Sequence, residues 1–128
     1  LTMLSSAVLL VEDNDINRDM LTRRLTRAGL NVITAADGAS ALEMMREDQP
    51  GVVLMDMTLP ILNGWEATQK AKQDSAIAHI PIIALTAHAM AADKERAMSA
   101  GCSEYETKPV DFPSLLAKIY QFLERYDA

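Results

Sequence analysis

Ala7-Val8-Leu9-Leu10-Val11 is a continuous apolar run that breaks off at Glu12-Asp13. A strand with one wet face alternates apolar and polar residues, so a run without a polar position belongs to a strand covered on both faces, as in a parallel sheet. Val52-Val53-Leu54-Met55 repeats the pattern and breaks off at Asp56. Ile82-Ile83-Ala84-Leu85 repeats it again, opening after Pro81 and ending at Thr86. Two more polar runs, Asn31 to Ala35 and Ser103 to Thr107, suit the edges of such a sheet.

Between the runs the spacing becomes helical. Ile16, Met20, Leu21, Leu25 and Ala28 recur on one face, with Asn14 or Asp15 as N-cap and Gly29 just past the end, which predicts a capped helix turning that face inward. Asp37 to Glu47 carries Ala41, Leu42 and Met45; Asn63 to Gln73 begins at an Asn-Gly turn signal; Met90 to Ala100 is closed by Gly101. A last helix starts at Asp111 with Pro113 in its first turn and is expected to bury Leu115, Leu116, Ile119, Phe122 and Leu123. Strand and helix alternate five times, which predicts an α/β fold: a doubly wound, five-stranded parallel sheet with helices on both faces. The pattern occupies residues 7–126, leaving 1–6 as an N-terminal extension and 127–128 as a tail.

The chain has 128 residues, enough for one domain, and 49% hydrophobic against 23% charged residues with 5 Gly and 5 Pro excludes collagenous and disordered classes. A net charge of −6 disfavours nucleic acid and anionic lipid as partners. Cys102 is the single cysteine, so no internal disulfide forms, which fits the reducing cytoplasm. Leu1 to Val11 lacks the basic start of a signal peptide, and no apolar stretch approaches the ~18 residues that span a bilayer. The first residue is Leu1, which leaves open a cut from a longer protein; in the chain as it stands, output is expected to pass through protein contacts.

In a doubly wound sheet, ligands collect outside the carboxyl ends of the strands. Glu12 and Asp13 follow the first strand there, Asp56 ends the third, Thr86 ends the fourth, and Lys108 and Pro109 follow the fifth. Carboxylates brought together repel, so such a cluster takes up protons or binds a cation. With oxygen ligands alone, and His79, His88 and Cys102 scattered, the chemistry favours Mg²⁺ over Zn²⁺. Lys108 adds positive charge opposite, suited to an anion held between lysine and metal. Carboxylate, metal, hydroxyl and lysine make a phosphoryl-transfer site in which Asp56 attacks phosphorus.

Val8-Leu9-Leu10-Val11-Glu12-Asp13-Asn14, then Asp56 with Leu59-Pro60 and Asn63-Gly64 after it, Ala84-Leu85-Thr86-Ala87, and Thr107-Lys108-Pro109 run in order over nearly the whole chain. Together they resemble the receiver domain of bacterial two-component response regulators, free-standing or part of a hybrid kinase. The resemblance implies a flavodoxin-like strand order, 2-1-3-4-5. It implies that Asp56 accepts a phosphoryl group from a histidine kinase or histidine phosphotransfer protein. Glu12 and Asp13 match the metal-binding acidic pair, Thr86 the hydroxyl that meets the phosphoryl group, Lys108 its charge partner and Tyr105 the aromatic switch. Asp56 and the backbone carbonyl of Thr58 are expected to complete the protein ligands of Mg²⁺. Two residues depart from the family pattern: Asn63 stands where Asp is common, which suits a turn equally well, and Glu106 stands where an apolar residue is usual and is expected to face solvent.

Plainer readings compete. Asp13 alone could be a loop carboxylate, Thr86 a helix cap, Lys108 a solvated lysine and Tyr105 an ordinary edge residue. Asp56 behind four apolar residues is harder to dismiss, because a buried carboxylate needs a partner. Trp65 and the 8 methionines suit packing, His88 the rim, and Arg23, Arg24 and Arg27 a solvated stripe. An aspartate-nucleophile phosphohydrolase would want a second carboxylate where Thr58 stands. A flavodoxin-like binding module would want a phosphate-cradling loop where Glu12-Asp13 would repel the anion. The surface expected to respond to the phosphoryl group is the edge carrying Met90, Lys94, Tyr105 and Glu106, presented to a downstream protein or to a second copy.

Overall fold

The computed structural model describes residues 7–59, 62–87 and 91–127; the 1–6 extension, Pro60, His88, Met90 and Ala128 lie outside the described residues. The elements alternate as β1 (Val8–Val11), α1 (Asp15–Arg27), β2 (Val32–Ala35), α2 (Gly38–Asp48), β3 (Val52–Asp56), α3 (Gly64–Gln73), β4 (Ile82–Thr86), α4 (Ala91–Ala100), β5 (Glu104–Thr107) and α5 (Phe112–Asp127). All five strands are parallel, in the order β2-β1-β3-β4-β5. The three unbroken apolar runs are the three central strands, and every residue of each is buried.

Because side chains alternate along a strand, the sheet divides its core in two. Leu9, Val11, Val53, Met55, Ile82 and Ala84 pack with Ala41, Leu42 and Met45 of α2, Ala67 and Ala71 of α3, and Ala97 of α4. Val8, Leu10, Val52, Leu54, Ile83 and Leu85 pack with Leu21 and Leu25 of α1 and Leu115, Ile119 and Leu123 of α5. Helix ends follow local chemistry. Asn14, Asp37 and Asn63 are the N-caps of α1, α2 and α3, each accepting a hydrogen bond from the amide three residues on. Gly29, at φ +91°, and Gly101, at φ +109°, turn the chain after α1 and α4 in the left-handed region that favours glycine.

Three sequence expectations are corrected. Ile16 and Met20 are not core: they are 79% and 48% exposed. The chain turns back from β1 into α1 within three residues, so the first turns of the helix stand over the loops at the sheet's end. Leu116 and Phe122 are half-buried on the flank of α5. Glu106 does not face solvent; it is 7% exposed. It accepts hydrogen bonds from Lys118 Nζ at 2.6 Å and Ser114 Oγ at 3.2 Å, both on α5. The ammonium of Lys118, which also donates to the Tyr105 carbonyl at 2.8 Å, supplies the counter-charge that permits burial. Glu106 is therefore withdrawn from the output surface, while its neighbour Tyr105 packs on the opposite core.

Cys102 is buried, with its Sγ 3.9 Å from Thr68 Oγ1, and burial pushes its thiol up to about 11. Only the thiolate reacts, so at pH 8 the folded protein should consume a thiol reagent about a hundredfold more slowly than the urea-unfolded chain. Equal rates would show that Cys102 is accessible. Lys118→Ala strands Glu106 as a buried, unpaired charge and should cost about 2–3 kcal/mol in urea denaturation, less than for a fully buried pair because Lys118 is partly exposed. Adding Glu106→Val should restore most of it.

Candidate functional site

The register of the sheet brings the polar strand ends level. Val11 lies beside Met55, Asp56 beside Leu85, and Thr86 beside Thr107, so Glu12, Asp13, Asp56, Thr86 and Lys108 share one end of three adjacent strands and of β5 next to them. The Lys108 amide extends the β4–β5 ladder by donating to the Thr86 carbonyl at 2.7 Å. The Lys108–Pro109 peptide that follows is cis.

Glu12 and Asp56 are 2% and 4% exposed, while Asp13 stands in solvent above them. One carboxylate oxygen from each of the three lies within 4.8 Å of the others. Lys108 Nζ sits 3.2 Å from Asp56 Oδ2 and 3.3 Å from Glu12 Oε1, bridging the two buried carboxylates. The other Asp56 oxygen, Oδ1, accepts from the Thr58 amide at 2.9 Å. Glu12 is held by its own backbone, whose carbonyl accepts from Arg18 Nη1 at 2.9 Å, and by the Asn14 amide, 3.3 Å from Oε2. Thr86 is buried at the end of β4, and Thr58 is exposed.

Charge sets the chemistry of this cluster. Burial pushes Glu12 up to about 7, and its hydrogen bond to Asp56 and repulsion from that carboxylate add to the rise; Lys108 and the Asn14 amide offset only part of it. For Lys108, burial opposes the ammonium, but attraction to Asp56 and then Glu12, with hydrogen bonds to both, leaves its pKa raised. The site thus holds more negative charge than one lysine neutralises. A set of hard oxygen donors with an excess of negative charge suits a divalent cation.

The sequence reading named the residues brought together here and missed what borders them. A cleft of about 280 Å³ opens between α1 and the 108–110 segment, with Met20, Leu21, Pro109 and Val110 as its apolar wall and Glu12 and Lys108 at its inner end. Asn17 and Arg24 complete it, and the Arg24 guanidinium lies 4.0 Å from the centre of the Phe112 ring. Arg24 is thus packed, and Arg23 pairs with Asp19 at 3.0 Å, so the basic stripe on α1 is largely committed within the chain. The signal for the cleft lay in Met20, which helical periodicity alone assigns to the core. Trp65, at the start of α3, lies under Arg96 of α4 at 4.3 Å.

The family model for the response regulator receiver domain matches residues 8–120. Among characterised proteins, the chain is 37% identical over 120 residues to the polar-differentiation response regulator DivK of Brucella ovis, covering 94% of this chain and 98% of that one. Among solved structures, it matches the receiver domain of the sensor histidine kinase PA1611 from Pseudomonas aeruginosa PAO1, which has a magnesium ion coordinated in its active site cleft. The TM-score is 0.85 at 33% identity, over 93% of this chain and 98% of that chain. It also matches, with a TM-score of 0.87 at 31% identity over 96% of this chain and 92% of that chain, the Saccharomyces cerevisiae Ssk1 receiver domain crystallised with the histidine phosphotransfer protein Ypd1. Likeness of this extent in sequence and in strand order gives the buried carboxylates their context: the chain belongs to the response regulator receiver domain family, the phosphoacceptor modules of two-component signalling.

Proposed function

We propose that Asp56 is the phosphoacceptor, that residues 7–126 form the receiver unit, and that the donor is a phosphohistidine on a kinase or phosphotransfer protein. The observation that carries this is Lys108 Nζ lying 3.2 Å from Asp56 Oδ2 at the mouth of an acidic cluster. A carboxylate meets a phosphoryl group productively only where positive charge awaits the phosphoryl oxygens. With Oδ1 held by the Thr58 amide, Oδ2, the oxygen beside the ammonium that will meet the phosphoryl oxygens, attacks phosphorus. The P–O bond forms as the P–N bond of the donor breaks, and the imidazole leaves with the electron pair. Lys108 follows the charge from the carboxylate to the phosphoryl oxygens, and the Thr86 hydroxyl donates to one of them. Glu12, Asp13, Asp56 and the Thr58 carbonyl would hold Mg²⁺, which supplies charge neutralisation at the equatorial oxygens. The acyl phosphate then hydrolyses slowly; there is no separate substrate, and the chain acts as a switch rather than a turnover enzyme.

Donor and output use different faces. Ile16, exposed in the first turn of α1, and Met20, lining the cleft that reaches Lys108, form an apolar landing for the donor protein. The output face is that of α4, β5 and α5, reached through Thr86 and Tyr105. Among the described side chains of α4, the buried ones are Ala97 and Ala100, small anchors that let the helix shift at low cost. The receiving partner is a downstream protein or a second copy. A charge of −6 argues against direct nucleic-acid binding, and among the described residues no helix is long and apolar enough to cross a membrane, in keeping with a cytoplasmic role.

With Mg²⁺ and acetyl phosphate, intact-mass spectrometry should record one base-labile phosphoryl group on the wild type and none on Asp56→Asn. Equal labelling of both would exclude Asp56. Ile16→Glu should slow transfer from a phosphorylated phosphotransfer protein by about tenfold or more, the loss of one well-packed interface anchor, and leave labelling by acetyl phosphate unchanged. Unimpaired transfer would remove α1 from the donor interface.

A further inference from the structure

β1 pairs with β2 as far as the Glu12 amide, which donates to the Ala35 carbonyl at 3.0 Å before the chain turns into α1. Glu12 is 2% exposed, so its carbonyl needs a partner inside the protein. Arg18, one turn into α1, provides it: Nη1 donates to the Glu12 carbonyl at 2.9 Å. Nη2 donates to Asp15 Oδ1, so both arms of the planar guanidinium are engaged and its orientation is fixed. The side chain is half-buried, and Asp15, its charge partner, stands in solvent outside the acidic cluster.

The carbonyl that Arg18 holds belongs to the rigid peptide plane joining Glu12 to Asp13. Turning that plane moves the Asp13 Cα and swings its carboxylate away from that of Glu12. The Glu12 carboxylate has holds of its own, the Asn14 amide and Lys108 Nζ. Asp13 is exposed, so its place within 4.8 Å of the other two carboxylates follows from the backbone that carries it. We infer that Arg18 is a positioning residue for the acidic pair: through one peptide plane it sets where Asp13 stands beside Glu12 and Asp56. Its charge alone would act in the opposite sense. A guanidinium near three carboxylates repels a divalent cation, so losing only the charge strengthens cation binding, whereas losing the support weakens it. This role presupposes the reading above, in which Glu12 and Asp13 are metal ligands.

The test compares Arg18→Met with Arg23→Met. The first keeps an apolar stem and a good helix former and removes the guanidinium. The second removes the same charge from the same helix at a residue paired with Asp19. Three quantities are read: amide resonances in metal-free protein, Mg²⁺ affinity by calorimetric titration, and the rate of labelling by acetyl phosphate as Mg²⁺ is raised. Arg18→Met should shift the Asp13 amide while those of Leu21 and Leu25, later in α1, stay in place. It should lower Mg²⁺ affinity about tenfold, the scale on which loss of a contact behind a metal ligand is felt. Labelling should slow at low Mg²⁺ and regain the wild-type rate at saturation, a split that a general loosening of the fold does not give. Arg23→Met should match the wild type or bind Mg²⁺ slightly more tightly. Unchanged or tighter Mg²⁺ binding in Arg18→Met, an equal loss in Arg23→Met, or a labelling defect that persists at saturation overturns the positioning role. A wild type that binds no Mg²⁺ overturns the assignment of Glu12 and Asp13 and the role of Arg18 with it, whereas a wild type that binds Mg²⁺ without being labelled overturns the assignment of Asp56.

Discussion

Glu12 and Asp56 are like charges buried side by side at the end of a parallel sheet, joined by one ammonium, and much of the molecule is explained by what makes that juxtaposition tolerable. Desolvation, with the hydrogen bond to Asp56 and repulsion from it, pushes Glu12 up to about 7, so Glu12 is poised between taking a proton and taking a cation. Three strand ends must be level for this to happen, and their register is what the two cores secure. A slip of one residue in β3 would turn Asp56 to the opposite side of the sheet and replace it with Met55.

The two faces of the sheet are anchored unequally. On one, α1 and α5 dock through Leu21, Leu25, Leu115, Ile119 and Leu123, and the Tyr120 hydroxyl donates to the Ala28 carbonyl at 2.9 Å, tying the two helices together. On the other, α2 and α3 pack through Leu42, Met45, Ala67 and Ala71, but α4, among its described side chains, rests on Ala97 and Ala100, with Arg96 over Trp65 as a surface contact of about 0.5–1 kcal/mol. The weakly held helix follows Thr86 directly, so a pull at the acceptor site meets the least resistance where a signal would leave the molecule.

The sequence was most legible where one residue's environment is set by its immediate neighbours. Unbroken apolar runs identify the central strands, and a polar residue closing each run marks the end at which chemistry collects. Legibility failed where the deciding partner is distant in sequence. Ile16 and Met20 have core periodicity, but periodicity does not say where the sheet below a helix stops. Glu106 looked like a surface residue because its counter-ion, Lys118, lies on the next helix. Gly38 gave no signal at all: its requirement is the backbone of Leu62, reached only once α2 and α3 pack on the same face.

The inward carboxylate of Glu106 has a bearing on colloidal behaviour. β5 is an edge strand, and an edge strand offers unpaired amides and carbonyls to any extended chain nearby. Here the edge carries Glu104 and Glu106, with Lys118 occupied by Glu106 and by the Tyr105 carbonyl. A second copy pairing edge to edge through β5 would set its own glutamates against these two. The side chains that fasten α5 thus also place charge along the edge, which disfavours strand-by-strand growth through β5.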